Sequence, residues 1–171
     1  MLQRPLSGDY PPYAENYVNQ VPEGSVIDML VPQLEELVSL LRDVTEEQGN
    51  YRYAPGKWTL KEVLGHLADT ERIMSYRLLR IARGDTTPLS GFDQDLFMKE
   101  AAFGDRTMAE LLNELDTVRR ATVSMVNTIK DEAWGNRGTF SNHPGTATAL
   151  LYIIIGHIAH HVNVIKERYL V

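Results

Sequence analysis

Three of the five histidines crowd into one short segment, Gly156-His157-Ile158-Ala159-His160-His161. Residues four apart on a helix lie one turn above each other on the same face. His157 and His161 therefore project together and offer two imidazoles to one ion. They share that face with Leu150, Ile154 and Val164, so the pair points toward a core, where two imidazoles without partners are costly to bury. His160 lies three residues from His157 and competes with His161 as second ligand; the spacing of four favours His161. His66 borders an apolar stripe of its own, beside Val63, Thr70 and Ile73, and is the candidate third ligand if its helix meets the other. His143 falls beside Pro144 and Gly145 and reads as a turn residue. Three imidazoles with a coordination position left over are the pattern of a catalytic rather than a closed structural site.

Two familiar metal motifs are excluded. Ile158 stands where a zincin needs glutamate after its first histidine. The ferritin-like di-iron pattern needs Glu-x-x-His on two helices. Here Glu62 precedes His66 by four, and no carboxylate precedes the histidines of the last helix.

Four amphipathic stretches must position these residues. The first, over residues 26–47, carries Ile27, Leu30, Leu34, Leu37 and Leu41 at helical spacing, with Ser25 as cap. Pro32 interrupts it, so the regular helix is expected to begin as late as Pro32. The second opens on Thr59 and Glu62, a capping box, and ends at Gly84. The third opens on a second box, Thr107 and Glu110, and runs to about Ile129. The fourth begins near Thr146 or Thr148 and runs to about Tyr169. The run from 150 to 155 is rich in β-branched residues, but its continuation through Ile158, Val162 and Ile165 keeps the helical period. Strand signals elsewhere are poor. Four such helices predict a single all-α domain, a four-helix bundle over residues 1–171. Residues 1–24, with four prolines, read as an extended arm. Residues 85–106 form a long crossover linker with a short helix expected between Asp93 and Phe103. Asp93 and Gln94 are its candidates for approaching the metal face.

Composition narrows the function. Hydrophobic residues make up 43% of the 171, a globular share, and there is no cysteine, hence no disulfide and no protein thiol nucleophile. A net charge of −6 argues against nucleic-acid binding. The first thirteen residues lack an apolar core of signal-peptide length, and the longest apolar stretch, around residues 149–155, is short for a bilayer. A soluble, cytoplasmic protein that binds neither membrane nor nucleic acid is expected. Arg72, Arg77, Arg80 and Arg83 read first as a solvated stripe and second as a site for an anionic cosubstrate. Trp58 and Tyr152 read as packing residues with satisfied polar tips.

The segment Pro55-Gly56-Lys57-Trp58-Thr59-Leu60-Lys61-Glu62-Val63-Leu64-Gly65-His66-Leu67-Ala68-Asp69-Thr70-Glu71, together with the histidine segment near the C-terminus, resembles the DinB/YfiT-like metalloenzyme family over residues 26–171. The resemblance implies a bundle of up-down-down-up order, often a homodimer, with metal held by His66, His157 and His161. It implies nickel or zinc, a small-molecule substrate, and S-transfer with a low-molecular-weight thiol such as bacillithiol or mycothiol. Metal-dependent hydrolysis is the alternative. A third reading is a bundle that binds a metal without turnover.

Overall fold

The computed structural model describes residues 2–170. Both capping boxes form as the sequence predicts. Glu62 N–H donates to Thr59 Oγ1 at 3.1 Å while Thr59 N–H donates to Glu62 Oε2 at 2.6 Å, starting α4 at Leu60–Ala82. The pair Thr107 and Glu110 does the same for α6, Met108–Val126. Thr146 Oγ1 accepts from Ala149 N–H and starts α7, Ala147–Arg168. Each box satisfies two donors that a helix start otherwise leaves without partners.

The first helical stretch is shorter than its periodicity suggests. It divides into α2, Leu30–Leu41, and α3, Glu46–Gly49. Ser25 is not its cap; residues 25–30 form turns instead. Pro32 sits in the first turn of α2, where its missing N–H removes no helical hydrogen bond. Thr45 and Gln48 then form a third capping box, which restarts the chain as α3 rather than continuing α2.

The arm is not extended throughout. Between its prolines lies α1, Glu15–Gln20, preceded by a 3₁₀ turn at Pro12–Ala14 that Pro12 opens. Arg4 donates to the carbonyls of Val18 and Val21, both at 2.6 Å, and so closes the C-terminal end of α1. The arm docks on α7 at Gly156. A Cβ there would lie 2.0 Å from the Tyr17 carbonyl oxygen, so only glycine permits this approach.

Hydrogen bonds fix the helix directions. The start of α6 meets the start of α4, where Phe103 packs on Gly65. Arg119 meets Glu71 midway, and Arg83 reaches Thr128 at the far end. Helices α4 and α6 are therefore parallel. Helix α7 runs against them, its terminal Tyr169 hydroxyl donating to the Trp58 carbonyl at 2.7 Å. Helix α2 follows α7: Gln33 bonds the Ile155 carbonyl, and Glu36 pairs with Lys166. The order is up-down-down-up. Because α4 and α6 are parallel, the chain between them must return the length of the bundle, which is why this linker is long. It carries α5, Gln94–Glu100, capped by Asp93 Oδ1.

One feature escaped the sequence pattern. A hairpin of β1, Arg137–Phe140, and β2, His143–Thr146, precedes α7. Its turn is Ser141 and Asn142, both with positive φ (50° and 63°), as a two-residue hairpin turn requires. His143 is thus the first residue of β2 rather than part of a Pro/Gly turn. The hairpin pins the crossover, since Leu89 N–H donates to Thr139 O and Ser141 N–H to Leu89 O.

Helix α7 is long and apolar enough by composition to cross a bilayer, with a mean hydropathy of 1.5 over its best window. Two thirds of that window (67%) is buried in the bundle, as in the core helix of a soluble fold. The core is two apolar clusters, one around Leu78, Ile81, Phe140 and Ile153, the other around Leu64, Leu115, Ile158 and Ile165. Between them runs a polar layer of His66, Thr70, Glu71, Arg119 and His157, all buried.

Candidate metal centre

His66 reaches the polar layer from the second turn of α4, and His157 and His161 reach it from α7. Their Nε2 atoms, for His66 and His157, lie 3.0 Å apart. One ligand atom from each of the three lies within 4.8 Å of the others. Two nitrogens bound to one tetrahedral ion at the usual ~2.0–2.1 Å stand about 3.3 Å apart, so a small rotamer adjustment suffices to close the set. His66 and His157 are each 5% exposed. His161 Nδ1 is buried and has no hydrogen-bond partner among the described residues. A buried imidazole nitrogen without a partner is costly. A donor set of three imidazoles with one such orphan fits a first-row divalent ion. Thr70 Oγ1, one turn after His66, lies 3.4 Å from its Nδ1. That contact orients the ring with Nε2 toward the other two histidines.

Burial sets the protonation of the cluster. Desolvation lowers His66 from 6.5 to about 4, and desolvation followed by the neighbouring imidazoles lowers His161 to about 3. His157 is pushed well below its ordinary value by the same causes in the same order. All three are neutral at pH 7 and present free lone pairs, as metal binding requires. The linkage has a definite sign. In the unfolded chain these imidazoles protonate near 6.5, whereas in the folded chain they resist, so below pH 6.5 the unfolded state binds more protons. Stability of the metal-free protein is full above about 6.5 and falls as the pH drops toward about 4 (His66) and about 3 (His161), by ~1.4 kcal/mol per pH unit for each imidazole. Urea denaturation of chelator-treated protein at pH 7.5 and pH 5 is expected to show the midpoint falling at the lower pH. In the His66→Phe variant that fall should shrink.

The pocket beside the cluster has a volume of 290 Å³ and opens onto His66 and His157. The bundle forms its floor with Thr70, Met74 and Ile153; the arm contributes Tyr13 and Tyr17, and the crossover Phe92 and Gln94. The Tyr17 ring packs edge-on against both His157 and His160, with centroids 5.3 and 5.6 Å away. Trp58 is a packing residue, its ring 4.8 Å from that of His66.

The other sequence candidates divide. His160 faces the arm, its Nδ1 3.4 Å from Gln20 Nε2, and stands outside the donor group. His143 packs against Tyr13. Gln94 lines the pocket, while Asp93 is occupied in capping α5. Tyr152 is buried beneath the Arg4 guanidinium. The arginines of α4 are not one solvated stripe. Arg77 is buried, donates to Ser90 O at 2.6 Å and lies over the Phe92 and Phe140 rings, so it clamps the crossover. Arg72, Arg80 and Arg83 make partner contacts nearer the surface, with Glu114, Asp85 and Thr128. Residue patterns had not marked Tyr13, Tyr17, Phe92 or Ser141, which lie on segments without helical period; only Thr70, four residues after His66, carried a local signal.

A family model of the DinB superfamily matches residues 29–165. The chain belongs to the DinB superfamily. This DinB protein is similar in fold to YfiT from Bacillus subtilis, described as a probable metal-dependent hydrolase with an unusual four-helix bundle topology. The two share 19% identity over 86% of this chain and 90% of that one, with a TM-score of 0.75. Comparison with curated proteins finds no match. The arm that carries Tyr13 and Tyr17 precedes the segment matched by the family model.

Proposed function

We propose that this DinB protein is a divalent-metal-dependent enzyme that transfers a low-molecular-weight thiol to a small electrophile, with His66, His157 and His161 as ligands. The observation that carries the metal assignment is the convergence of three neutral imidazoles, two buried and one half-buried, beside an open pocket. A zinc or nickel ion held there supplies Lewis acidity, depressing the pKa of a thiol or water in its remaining position. Thr70 keeps the His66 ring turned toward the other two imidazoles, where it would hold the ion. Met74, Ile153 and Phe92 keep the pocket wall apolar and limit water. Gln94 and Ser141 offer neutral hydrogen-bonding groups to substrate.

Among the described residues no carboxylate lines this pocket. A thiol activated by the ion attacks an electrophile without a protein acid or base, whereas ester or amide hydrolysis also has a leaving group to protonate, so the lining supports the thiol reading over the hydrolytic one. The absence of cysteine from the chain is consistent with a thiol brought by the cosubstrate. Hydrolysis is the second reading, supported by the description of YfiT. Incubating zinc- or nickel-loaded protein with bacillithiol, mycothiol or glutathione and a chromogenic electrophile tests the first. Conjugation lost on chelation supports it. Failure with every thiol, with ester cleavage that disappears in His157→Ala, replaces it by the second.

A further inference from the structure

Both walls of the pocket come from outside the helical bundle, and their chemistry is of one kind. The arm presents Tyr13 and Tyr17, and the crossover presents Phe92. Two of the three are held in place. Tyr17 is held by the close seat of its own carbonyl on Gly156 and by edge contacts to two imidazoles. Phe92 is held under Arg77, which also ties down the Ser90 carbonyl, and against Phe97 at 5.4 Å. The remaining lining is neutral: thioether, aliphatic, hydroxyl and amide, with no Asp, Glu, Lys or Arg among the described residues. A wall of aromatic rings favours a flat π-system, and a lining without acidic side chains beside a divalent ion penalises a cationic ligand. At 290 Å³ the pocket exceeds the ~150 Å³ known to accept benzene, leaving room for a ring with a substituent.

We infer that the pocket is a subsite for a non-cationic, aryl-bearing substrate, with Tyr17 of the arm as its specificity-determining residue. This rests on the site proposed above, naming the class of its second substrate. Tyr13 and Tyr17 of the arm lie outside residues 29–165, whereas Phe92 lies within them.

The test is ligand-observed NMR titration of the zinc-loaded full-length protein with three probes of similar size: benzamide, cyclohexanecarboxamide and benzamidinium. Benzamide is expected to bind about fivefold tighter than cyclohexanecarboxamide, since both carry the same amide and differ only in the ring. It is expected to bind about tenfold tighter than benzamidinium, its planar cationic counterpart. Tyr17→Leu should remove the preference for the aromatic ring while zinc content and helical circular dichroism stay as in the parent. Equal binding of the two amides, tighter binding of the cation, no detectable benzamide binding, or an unchanged preference in Tyr17→Leu overturns the inference. The two readings fail separately. Selective benzamide binding without thiol conjugation leaves the subsite standing and removes the transferase; conjugation indifferent to the aryl group does the reverse.

Discussion

Zinc or nickel content is expected to fall from about one equivalent to a small fraction in His157→Ala, because a three-imidazole set cannot spare its central member. The Nε2 atoms of His157 and His66 lie 3.0 Å apart. Its loss leaves two imidazoles on different helices with no shared chelate. If the three share the binding free energy about equally, and total affinity follows that of ordinary protein zinc sites, removing one weakens binding on the order of a thousandfold. Elemental analysis of tag-free protein, with competition against a chromogenic chelator, measures both quantities. The His160→Ala variant is the control. Its ring faces Gln20, so metal content should be unchanged. Metal retained in His157→Ala and lost in His160→Ala would assign the ligands the other way. Because burial of the imidazoles opposes their protonation, His157→Ala should also make the metal-free protein less sensitive to acid than the parent.

The second large effect lies on the other side of the polar layer. Glu71→Ala is expected to destabilise the protein by about 3–5 kcal/mol, the range for stripping one partner from a buried ion pair. Arg119 is 1% exposed and Glu71 is 3% exposed. They meet in a bidentate pair, Nε to Oε1 and Nη2 to Oε2, both at 2.8 Å. Arg119 Nη1 also donates to the Leu30 carbonyl at 2.8 Å and to Gln33 Oε1 at 3.3 Å. The guanidinium thereby ties α6 to α4 and to the start of α2, and removing the carboxylate strands a charge inside the bundle. The double variant Glu71→Leu with Arg119→Met, which removes both charges and keeps volume, should recover much of the loss. Chemical denaturation of the parent, Glu71→Leu, Arg119→Met and the double closes the cycle. Near-additive single effects would show that the two groups are not coupled. The metal content of each folded variant should stay near the parent value, since neither residue is in the donor group.

The residue patterns read from the sequence passed over this pair. Glu71 falls on the apolar stripe of α4, between Leu67 and Met74. Arg119 holds the equivalent place on α6, between Leu115 and Thr122. One opposite charge on the core face of each of two helices is a signal that they meet, though it names no partner by itself.

Local chemistry determined much of this protein before any folding. The boxes Thr59 with Glu62 and Thr107 with Glu110 start their helices where residue types alone place them, because capping is settled within four residues. The spacing of four puts His157 and His161 together for the same reason: helical geometry is local. What the tertiary structure decided is everything that depends on distant segments. Only the parallel packing of α4 and α6, with α7 against them, brings His66 to His157 across ninety-one residues. The same packing sends Arg77 inward to clamp the crossover, where the spacing of the α4 arginines suggested a solvated stripe. Only the absence of a side chain at Gly156 lets the arm seat as a helix and lay Tyr17 over the imidazoles. The Ser141–Asn142 hairpin carries no strong turn dipeptide, so it owes its form to the Leu89 backbone that pairs with it. Residue spacing therefore gave two ligands and the helices that carry them. The third ligand, the pocket and its aromatic walls depend on contacts between segments far apart in the chain, which no local period encodes.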